Sequence, residues 1–261
     1  MEQTPPTVRF VPHFNMLKEN NVRRGFLQDD CYIRLSRECA VEGVWLEGLF
    51  EMDYAYSWRL NELLGLRVRQ LDFLARIIDL GKTKNGDQRM ITMNEHVSRV
   101  LVRCLYGKKP DDFVFTREGG SPVKDFRGGW WNACIRAGLG RFQCRGCQQT
   151  VTTDRKCSQC NSNKKAKYIG LRFHDVRRTG IRNMSRKGIP ENVGMLISGH
   201  RTNSVYRRYN IIDMEVMREA TAKIEEHQRA LKPENNPRTA TTSDETGMDE
   251  TGMDDKTDPV N

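Results

Sequence analysis

The residues of this chain best suited to chemistry are a histidine and arginine pair, a second histidine and a tyrosine. His174 and Arg177 are three residues apart in Leu-Arg-Phe-His-Asp-Val-Arg-Arg, so a helix places both side chains on one face. Tyr209 lies nine residues after His200. Because a phenol has a pKa of about 10, Tyr209 needs a base as it attacks, and the imidazole of His174 suits that role. The pattern predicts attack by a tyrosine.

A further arginine, Arg59, lies far upstream, just before a predicted hairpin that carries Lys82 and Lys84. The transition state of phosphodiester cleavage gathers more negative charge than the starting ester. Two guanidiniums, Arg59 and Arg177, can hold its non-bridging oxygens in a fork geometry that lysine lacks. A lone His-x-x-Arg pair is weak support, because most such pairs are satisfied surface pairs. The residue types taken together favour phosphodiester chemistry.

The elements that must position these residues are mainly helical. Apolar periodicity predicts helices at about 28–40, 46–56, 58–66, 94–107, 121–138, 174–186, 191–197, 204–209 and 214–231. Asn94 and Asp213 are expected to cap the helices that follow them. Residues 73–80 and 89–93 flank Asn-Gly and predict a hairpin, and a short strand is expected at 113–115. The expected fold class is therefore mainly α with one small antiparallel β-sheet, an α+β fold.

These motifs, in this order, resemble the tyrosine recombinase or phage integrase family. They are an Arg-x-x-Glu-Leu-Leu-x-Leu helix, a Lys-Thr-Lys hairpin, a His-Asp-x-Arg-Arg-Thr helix, a Gly-His pair and an Arg-Tyr-Asn tyrosine, between about residues 14 and 230. The resemblance implies the family's catalytic fold. It also implies a site-specific recombinase that cuts and rejoins double-stranded DNA through a 3′-phosphotyrosyl intermediate, without ATP or a catalytic metal. Strand exchange in the family needs several protomers on two DNA sites, usually a homotetramer.

The resemblance also implies roles for single residues. Tyr209 is the nucleophile, and Tyr206 is its rival, although Tyr206 lies six residues after His200 rather than nine. His200 hydrogen-bonds the phosphate. The hairpin lysine protonates the leaving 5′-oxygen, and Lys84 is favoured over Lys82 when one counts back from Ile-Thr-Met at residues 91–93.

Three features leave alternatives open. Glu62 lies three residues beyond Arg59, where it forms either a simple helix ion pair or a support for the site. Ser57 stands where relatives usually have glycine, so the turn before Arg59 is expected to differ.

Relatives carry a helical core-binding domain of roughly a hundred residues, the size of a small domain, before the catalytic part. This chain begins near a linker-like segment at 12–17, so we expect a fragment. The alternative function is a truncated, non-catalytic DNA-binding remnant that occupies sites or modulates a full-length relative.

Four cysteines form a separate motif. Cys144, Cys147, Cys157 and Cys160 have the pattern Cys-x2-Cys-x9-Cys-x2-Cys, which is typical of a structural Zn²⁺ site with no open catalytic position. The alternative is four free surface thiols. The surrounding arginines and lysines suggest that this insertion touches the DNA backbone, although contact with protein alone is also open. The other four are expected to be small buried hydrophobes: Cys31, Cys39, Cys104 and Cys134.

Charge is distributed unevenly along the chain. The formal net charge is +9, with eight acids against three bases in residues 232–261, a net −5 that leaves +14 on residues 1–231. Such a body suits a phosphate backbone, although the same charge also serves solubility.

The predicted organisation is an irregular segment at 1–27, a catalytic domain at 28–231 with the cysteine insertion at 142–168, and an acidic disordered tail at 232–261. No apolar run approaches the ~20 residues that span a bilayer, and no leader opens the chain. We therefore expect a cytoplasmic protein associated with the nucleoid.

Overall fold

The computed structural model describes residues 26–82, 88–151, 157, 159–160, 166–209 and 214–231. The chain divides into two units, Met1–Ile211 and Ile212–Asn261. The described part of the second unit consists mainly of one helix, whose exposed apolar residues include Met217 and Ile224. None of the described helices is long and apolar enough to cross a membrane.

The described helices are α1 Asp29–Glu42, α2 Val44–Tyr56, α3 Leu60–Leu64, α4 Glu95–Cys104, α5 Arg127–Arg136, α6 Phe173–Arg186, α7 Glu191–Ser198, α8 Asn203–Arg207 and, in the second unit, α9 Met214–Ala230. The strands are β1 Leu71–Asp72, β2 Ile77–Lys82, β3 Gln88–Thr92, β4 Gly140–Gln143, β5 Thr150–Val151 and β6 Lys167–Gly170. They form two antiparallel sheets, in the orders β1-β2-β3 and β5-β4-β6.

Helix α2 is the centre of the first unit, where it packs against α1, α4 and α6. Its apolar residues are not confined to one stripe, as expected of a helix covered on all sides. Even Glu51 is buried, and its carboxylate accepts hydrogen bonds from Tyr32 Oη at 2.7 Å and Ser36 Oγ at 2.6 Å. Buried charge of this kind is tolerated because it is hydrogen-bonded. The core thus fixes α6, the helix with the His-x-x-Arg motif.

The predicted fold class is confirmed, since the protein is mainly helical with small antiparallel sheets. The prediction of a single sheet was wrong, because β4, β5 and β6 form a second one inside the cysteine insertion. These strands have two to four residues each, too few to show a periodicity.

Helix and strand boundaries also differ from the sequence-based prediction, for example at three places. The helix expected at 121–138 begins only at Arg127, because Pro122 pairs with Thr116 in an antiparallel bridge instead. The strand expected at 113–115 is reduced to one bridge between Phe113 and Arg67. Helix α8 ends at Arg207, so Tyr209 lies beyond it.

Predictions about single side chains agree with the structure more closely than the predicted boundaries do. Asn94 Oδ1 accepts a hydrogen bond from Val97 N at 2.8 Å and caps α4 as predicted, whereas Asp213 lies outside the described residues. Cys39, Cys104 and Cys134 are buried, and Cys31 is half-buried at the edge of the core. Burial raises the pKa of Cys104 and of Cys134 to about 12, so these thiols stay protonated.

Candidate active site

Arg177 is the centre of the site. It lies on the buried face of α6, where its guanidinium donates to the Ser57 carbonyl oxygen and, at 3.2 Å, to the Ser198 carbonyl oxygen. A further bond of 2.9 Å joins Nη2 to His200 Nε2. Although burial lowers the pKa of Arg177 to about 10, the group remains charged at neutral pH. The Arg177 side chain therefore joins α6 to the residue that follows α2 and to the residues at the end of α7.

His200 follows the end of α7, where Gly199 has a φ of +69° and reverses the chain. Its Nδ1 lies 2.8 Å from Ser198 Oγ, which donates to the Gly194 carbonyl oxygen at 2.6 Å. Since Ser198 uses its proton on that carbonyl, the consistent assignment has Nδ1–H donating to Ser198 and Nε2 accepting from Arg177. Burial, followed by the charges of Arg177 and Arg59, lowers the pKa of His200 to about 3. The ring is therefore neutral at physiological pH.

His174 and Tyr209 are in direct contact. His174 Nε2 lies 3.1 Å from Tyr209 Oη, and the two rings meet edge to face at 5.4 Å. Asp175 accepts a hydrogen bond from Arg172 N at 2.9 Å, which holds the first turn of α6 where His174 stands. Partial burial, then Arg177 and the adjacent Arg178, lower the pKa of His174. A neutral imidazole thus faces the phenol hydroxyl.

Tyr206, the rival nucleophile, is placed differently. Only 1% of it is exposed, and its Oη has no hydrogen-bond partner among the described residues. A Cβ added at Gly194 would lie 2.2 Å from this Oη, so the hydroxyl is directed at helix α7. Burial raises the pKa of Tyr206. The geometry therefore favours Tyr209 as the reactive phenol.

Arg59 begins α3 at the mouth of the site. Its Nη1 lies 3.2 Å from Glu62 Oε1 and 3.1 Å from the Gly199 carbonyl oxygen, while about half of the side chain is exposed. The preceding Ser57 adopts the left-handed conformation, with φ 55° and ψ 47°. This conformation costs a residue other than glycine about 1 kcal/mol. A Cβ at Gly180 would lie 2.2 Å from Ser57 Oγ, so glycine at 180 makes room for the serine.

Sequence reasoning missed Arg89, a buried arginine of β3. Its Nη2 lies 2.9 Å from Glu62 Oε2, and its guanidinium lies 5.1 Å from the centroid of the Trp58 ring. A Cβ at Gly199 would lie 1.6 Å from Arg89 Nη1, so a larger residue there would have to displace this guanidinium. Burial alone would raise the pKa of Glu62, but Arg89 and then Arg59 lower it. The sequence did offer one signal for Arg89. It lies two positions before Ile91 in a predicted strand, so its side chain shares the buried face of that strand.

Of the two candidate lysines, Lys82 ends strand β2, and Lys84 lies outside the described residues. Six residues were proposed from the sequence as catalytic. The structure brings five of them together, namely Arg59, His174, Arg177, His200 and Tyr209.

The four cysteines of the insertion also come together. The Sγ atoms of Cys144, Cys147, Cys157 and Cys160 all lie within 4.8 Å of one another, with two pairs at 3.5 Å. Four thiolates about 2.3 Å from a tetrahedral Zn²⁺ would be about 3.8 Å apart, so the donor set fits a metal ion. Hydrogen bonds from the backbone of Cys147 and Gly146 lower the pKa of Cys144 to about 6. This environment favours the thiolate, the form that binds metal.

Comparison with known proteins shows which family the sequence matches. Residues 26–215 match the model of the phage integrase family. The tyrosine recombinase XerA of Saccharolobus solfataricus is 33% identical over 57 residues, which cover 22% of this chain and only 20% of that protein.

Solved structures show the same fold. A crystal structure of XerA recombinase aligns with a TM-score of 0.54 at 16% identity, over 76% of this chain and 62% of the other. The Tn1549 transposon integrase in complex with circular intermediate DNA gives 0.52 at 16%, over 78% and 67%. A lambda integrase dimer bound to a COC′ core site gives 0.51 at 15%, over 74% and 49%. Since the family model spans most of the sequence and the arrangement of helices agrees, the chain belongs to the phage integrase family of tyrosine recombinases.

Proposed function

We propose that this chain cuts and rejoins double-stranded DNA as a site-specific recombinase. The observation that carries the proposal is the 3.1 Å contact between His174 Nε2 and Tyr209 Oη, beside the buried guanidinium of Arg177. The body of the chain is basic, which suits a phosphate backbone. Two of the proteins with this fold were solved on DNA, namely the Tn1549 and lambda integrases.

In the proposed reaction His174 takes the phenolic proton as Tyr209 Oη attacks the phosphorus. An O–P bond forms to the tyrosine, and the bond from phosphorus to the 5′-oxygen breaks. That oxygen leaves with a proton, for which we propose Lys84 as the donor. Rejoining is the reverse, with a 5′-hydroxyl as the attacking group. The covalent intermediate keeps the energy of the phosphodiester, so the chemistry needs no nucleotide hydrolysis.

Arg59 and Arg177 are proposed to hold the phosphate. The half-exposed Arg59 can turn toward an incoming oxyanion, whereas Arg177 is already fixed by two carbonyl oxygens. A phosphate oxygen would replace His200 as the acceptor of the Arg177 Nη2 bond, which leaves His200 beside the phosphate. Such preorganised donors stabilise the charge that develops in the transition state.

Glu62 and Arg89 are proposed as positioning residues. The Glu62 carboxylate is shared between Arg59 and Arg89, and Arg89 is itself wedged between Trp58 and Gly199. Through these contacts the β2–β3 hairpin is joined to both the Arg59 turn and the His200 turn. We therefore expect Arg89 to act on the rate through Arg59 rather than by touching the phosphate.

The proposed partners are double-stranded DNA and further copies of this chain, four on two DNA sites, with the nucleoid as the place of action. We propose Zn²⁺ as the metal of the four-cysteine cluster, where it would hold the insertion together without taking part in the cleavage chemistry.

A suicide substrate tests the proposal. In a duplex with a nick close to the cleavage position, the short 5′-hydroxyl fragment diffuses away after attack and the covalent complex accumulates. We expect a protein–DNA adduct that survives denaturation and disappears after protease treatment. Binding without any adduct on the chain's own attachment sequence would contradict the proposal and favour a non-catalytic DNA-binding remnant.

A further inference from the structure

A cleft of about 620 Å³ opens directly from the catalytic residues toward the cysteine insertion. His174 and Arg177 line one end, while Arg145 and Lys167 of the insertion line another part of its wall. We call this space the insertion cleft. Its volume is that of a pocket for a small organic group, within the common range of about 300–1,000 Å³. The insertion is thus part of the wall beside the proposed nucleophile.

The wall between these ends is aromatic. Phe126, Trp131 and Tyr168 all line the insertion cleft. The Trp131 and Tyr168 rings stack at 5.4 Å with an angle of 19°, and Tyr168 Oη donates to the Leu171 carbonyl oxygen at 3.1 Å. Leu171 lies two residues before the start of α6, and its carbonyl oxygen also accepts a hydrogen bond from Trp130 Nε1 at 3.0 Å. The wall is therefore fixed to the helix that carries His174.

The mouth of the insertion cleft is positively charged. Arg145, Lys167 and Arg172 are exposed residues from three different segments that line it. Among its lining residues that the structure describes, Asp53 is the only carboxylic acid. An anionic group is therefore favoured at the mouth.

Asp53 marks the inner part of the cleft as a place for a hydrogen-bonding ligand. The residue is 1% exposed, and its Oδ1 has no hydrogen-bond partner among the described residues. Burial raises the pKa of this carboxyl, against the opposing effect of Arg177. Buried polar atoms are almost always satisfied in native proteins, so an unpaired one in a cavity wall indicates a missing partner. A neutral carboxyl is both a hydrogen-bond donor and an acceptor, which matches the mixed donors and acceptors on the polar edge of a base.

We propose that the insertion cleft holds one unpaired nucleotide of the DNA next to the scissile phosphate. Its base lies against Phe126, Trp131 and Tyr168, and its own phosphate lies on the cations at the mouth. The inference rests on the proposed function, because it takes the phosphate at His174 and Arg177 as the one that is cut. A nucleotide matches the cleft because it is anionic at one end and flat, apolar and hydrogen-bonding at the other.

The test measures binding without chemistry. Tyr209→Phe protein is titrated with two duplexes of the same sequence, one fully paired and one with a single bulged 2-aminopurine. We expect the bulged duplex to bind about tenfold more tightly, since stacking of a base on aromatic side chains has that order of effect. The fluorescence of the 2-aminopurine should also change on binding.

Two matched double variants test whether the preference for the bulged duplex comes from the insertion cleft. Arg145→Ala with Lys167→Ala removes two charges from the mouth, and Arg99→Ala with Lys109→Ala removes the same two residue types from exposed positions outside it. The first variant should lose the preference for the bulged duplex, and the second should keep it. Equal affinity for both duplexes, or equal behaviour of the two variants, would overturn the inference. Covalent trapping by the wild-type chain is measured separately, so failure of either proposal can be told from failure of the other.

Discussion

The catalytic cluster and the cysteine cluster are built in opposite ways. The first joins residues that are far apart in the chain, as in the bond between Arg177 and the Ser57 carbonyl oxygen across 120 positions. The second draws its ligands from one insertion, where Cys144 and Cys160 are 16 positions apart. The catalytic cluster therefore depends on the packing of α2, α6 and α7, whereas the cysteine cluster depends on its own turns.

The pKa values are lowered in both clusters, but the lowering has opposite consequences for the charge of the groups. Burial and neighbouring cations lower the pKa of His174 and of His200, which keeps both imidazoles neutral. Backbone N–H groups lower the pKa of Cys144 and of Cys157, which favours their anions. The first environment prepares an acceptor for a proton, and the second prepares ligands for a cation. A lowered pKa therefore favours the neutral form of a base such as histidine and the anionic form of an acid such as cysteine.

The largest expected effect is the loss of covalent chemistry in the catalytic cluster. Tyr209→Phe should abolish the adduct with a suicide substrate and leave DNA affinity within a few-fold, because only one hydroxyl is removed. Tyr206→Phe is the matched control and should still form the adduct. Denaturing gels and binding titrations measure the two properties. An adduct formed by Tyr209→Phe but not by Tyr206→Phe would exchange the roles of the two tyrosines.

A smaller effect is expected where the catalytic cluster depends on buried packing. Arg89→Met should lower the rate of cleavage about tenfold at saturating DNA, since a lost hydrogen bond to a charged group has about that effect. DNA affinity should change little, because Arg89 is buried and its guanidinium is bonded to Glu62. Arg89→Lys should recover part of the rate by restoring the charge beside Glu62. A variant that loses affinity but keeps its rate would mean that Arg89 binds DNA and does not position Arg59.

The buried histidine should make stability depend on pH. The pKa of His200 is about 3 in the folded protein and about 6.5 when unfolded. Between these values the unfolded chain binds a proton that the folded chain does not, so the free energy of unfolding should fall as the pH is lowered from about 6.5 toward 3. The charged and titratable groups around His200 are Arg177, Arg59, Glu62, His174, Tyr206 and Tyr209.

Paired histidine variants isolate this contribution. Urea denaturation at several pH values should show a slope to which His200 contributes up to about 1 kcal/mol per pH unit, and His200→Gln should reduce the slope by that contribution. His227→Gln, which removes an exposed histidine of α9, should keep the slope. Identical slopes for the wild type and His200→Gln would place the pH dependence elsewhere.

The smallest effect on the catalytic core is expected from metal removal. The purified chain should carry one zinc ion, and chelation should speed proteolysis between residues 142 and 167 while the melting temperature of the core stays unchanged. Cys147→Ser should lose the metal, whereas Cys31→Ser, at a cysteine outside the cluster, should retain it. Metal analysis and limited proteolysis measure both. If chelation unfolded the whole first unit, the independence of the two clusters would be disproved.

Features with a local cause could be read from the sequence. The periodicity of α6, the cap at Asn94 and the spacing of the four cysteines each depend on residues within one helix or one pair of turns. The sequence also carried the family motifs in order, from which six proposed catalytic residues were named, five of them among the described residues. For these features short-range geometry is sufficient, since a helix turn fixes which side chains share a face.

Features that depend on distant partners could be read only from the three-dimensional arrangement of the chain. It placed Tyr209 against His174 and buried Tyr206, although both tyrosines follow the same histidine. It also set Arg89 against Glu62 and Gly199, and it opened the insertion cleft between the cysteine insertion and α6. The spacing from His200 favoured Tyr209 over Tyr206, but it could not show the burial or the contacts of either tyrosine. Their environment is set by the packing of segments far apart in the chain, because burial and charge pairing act through space and not along the sequence.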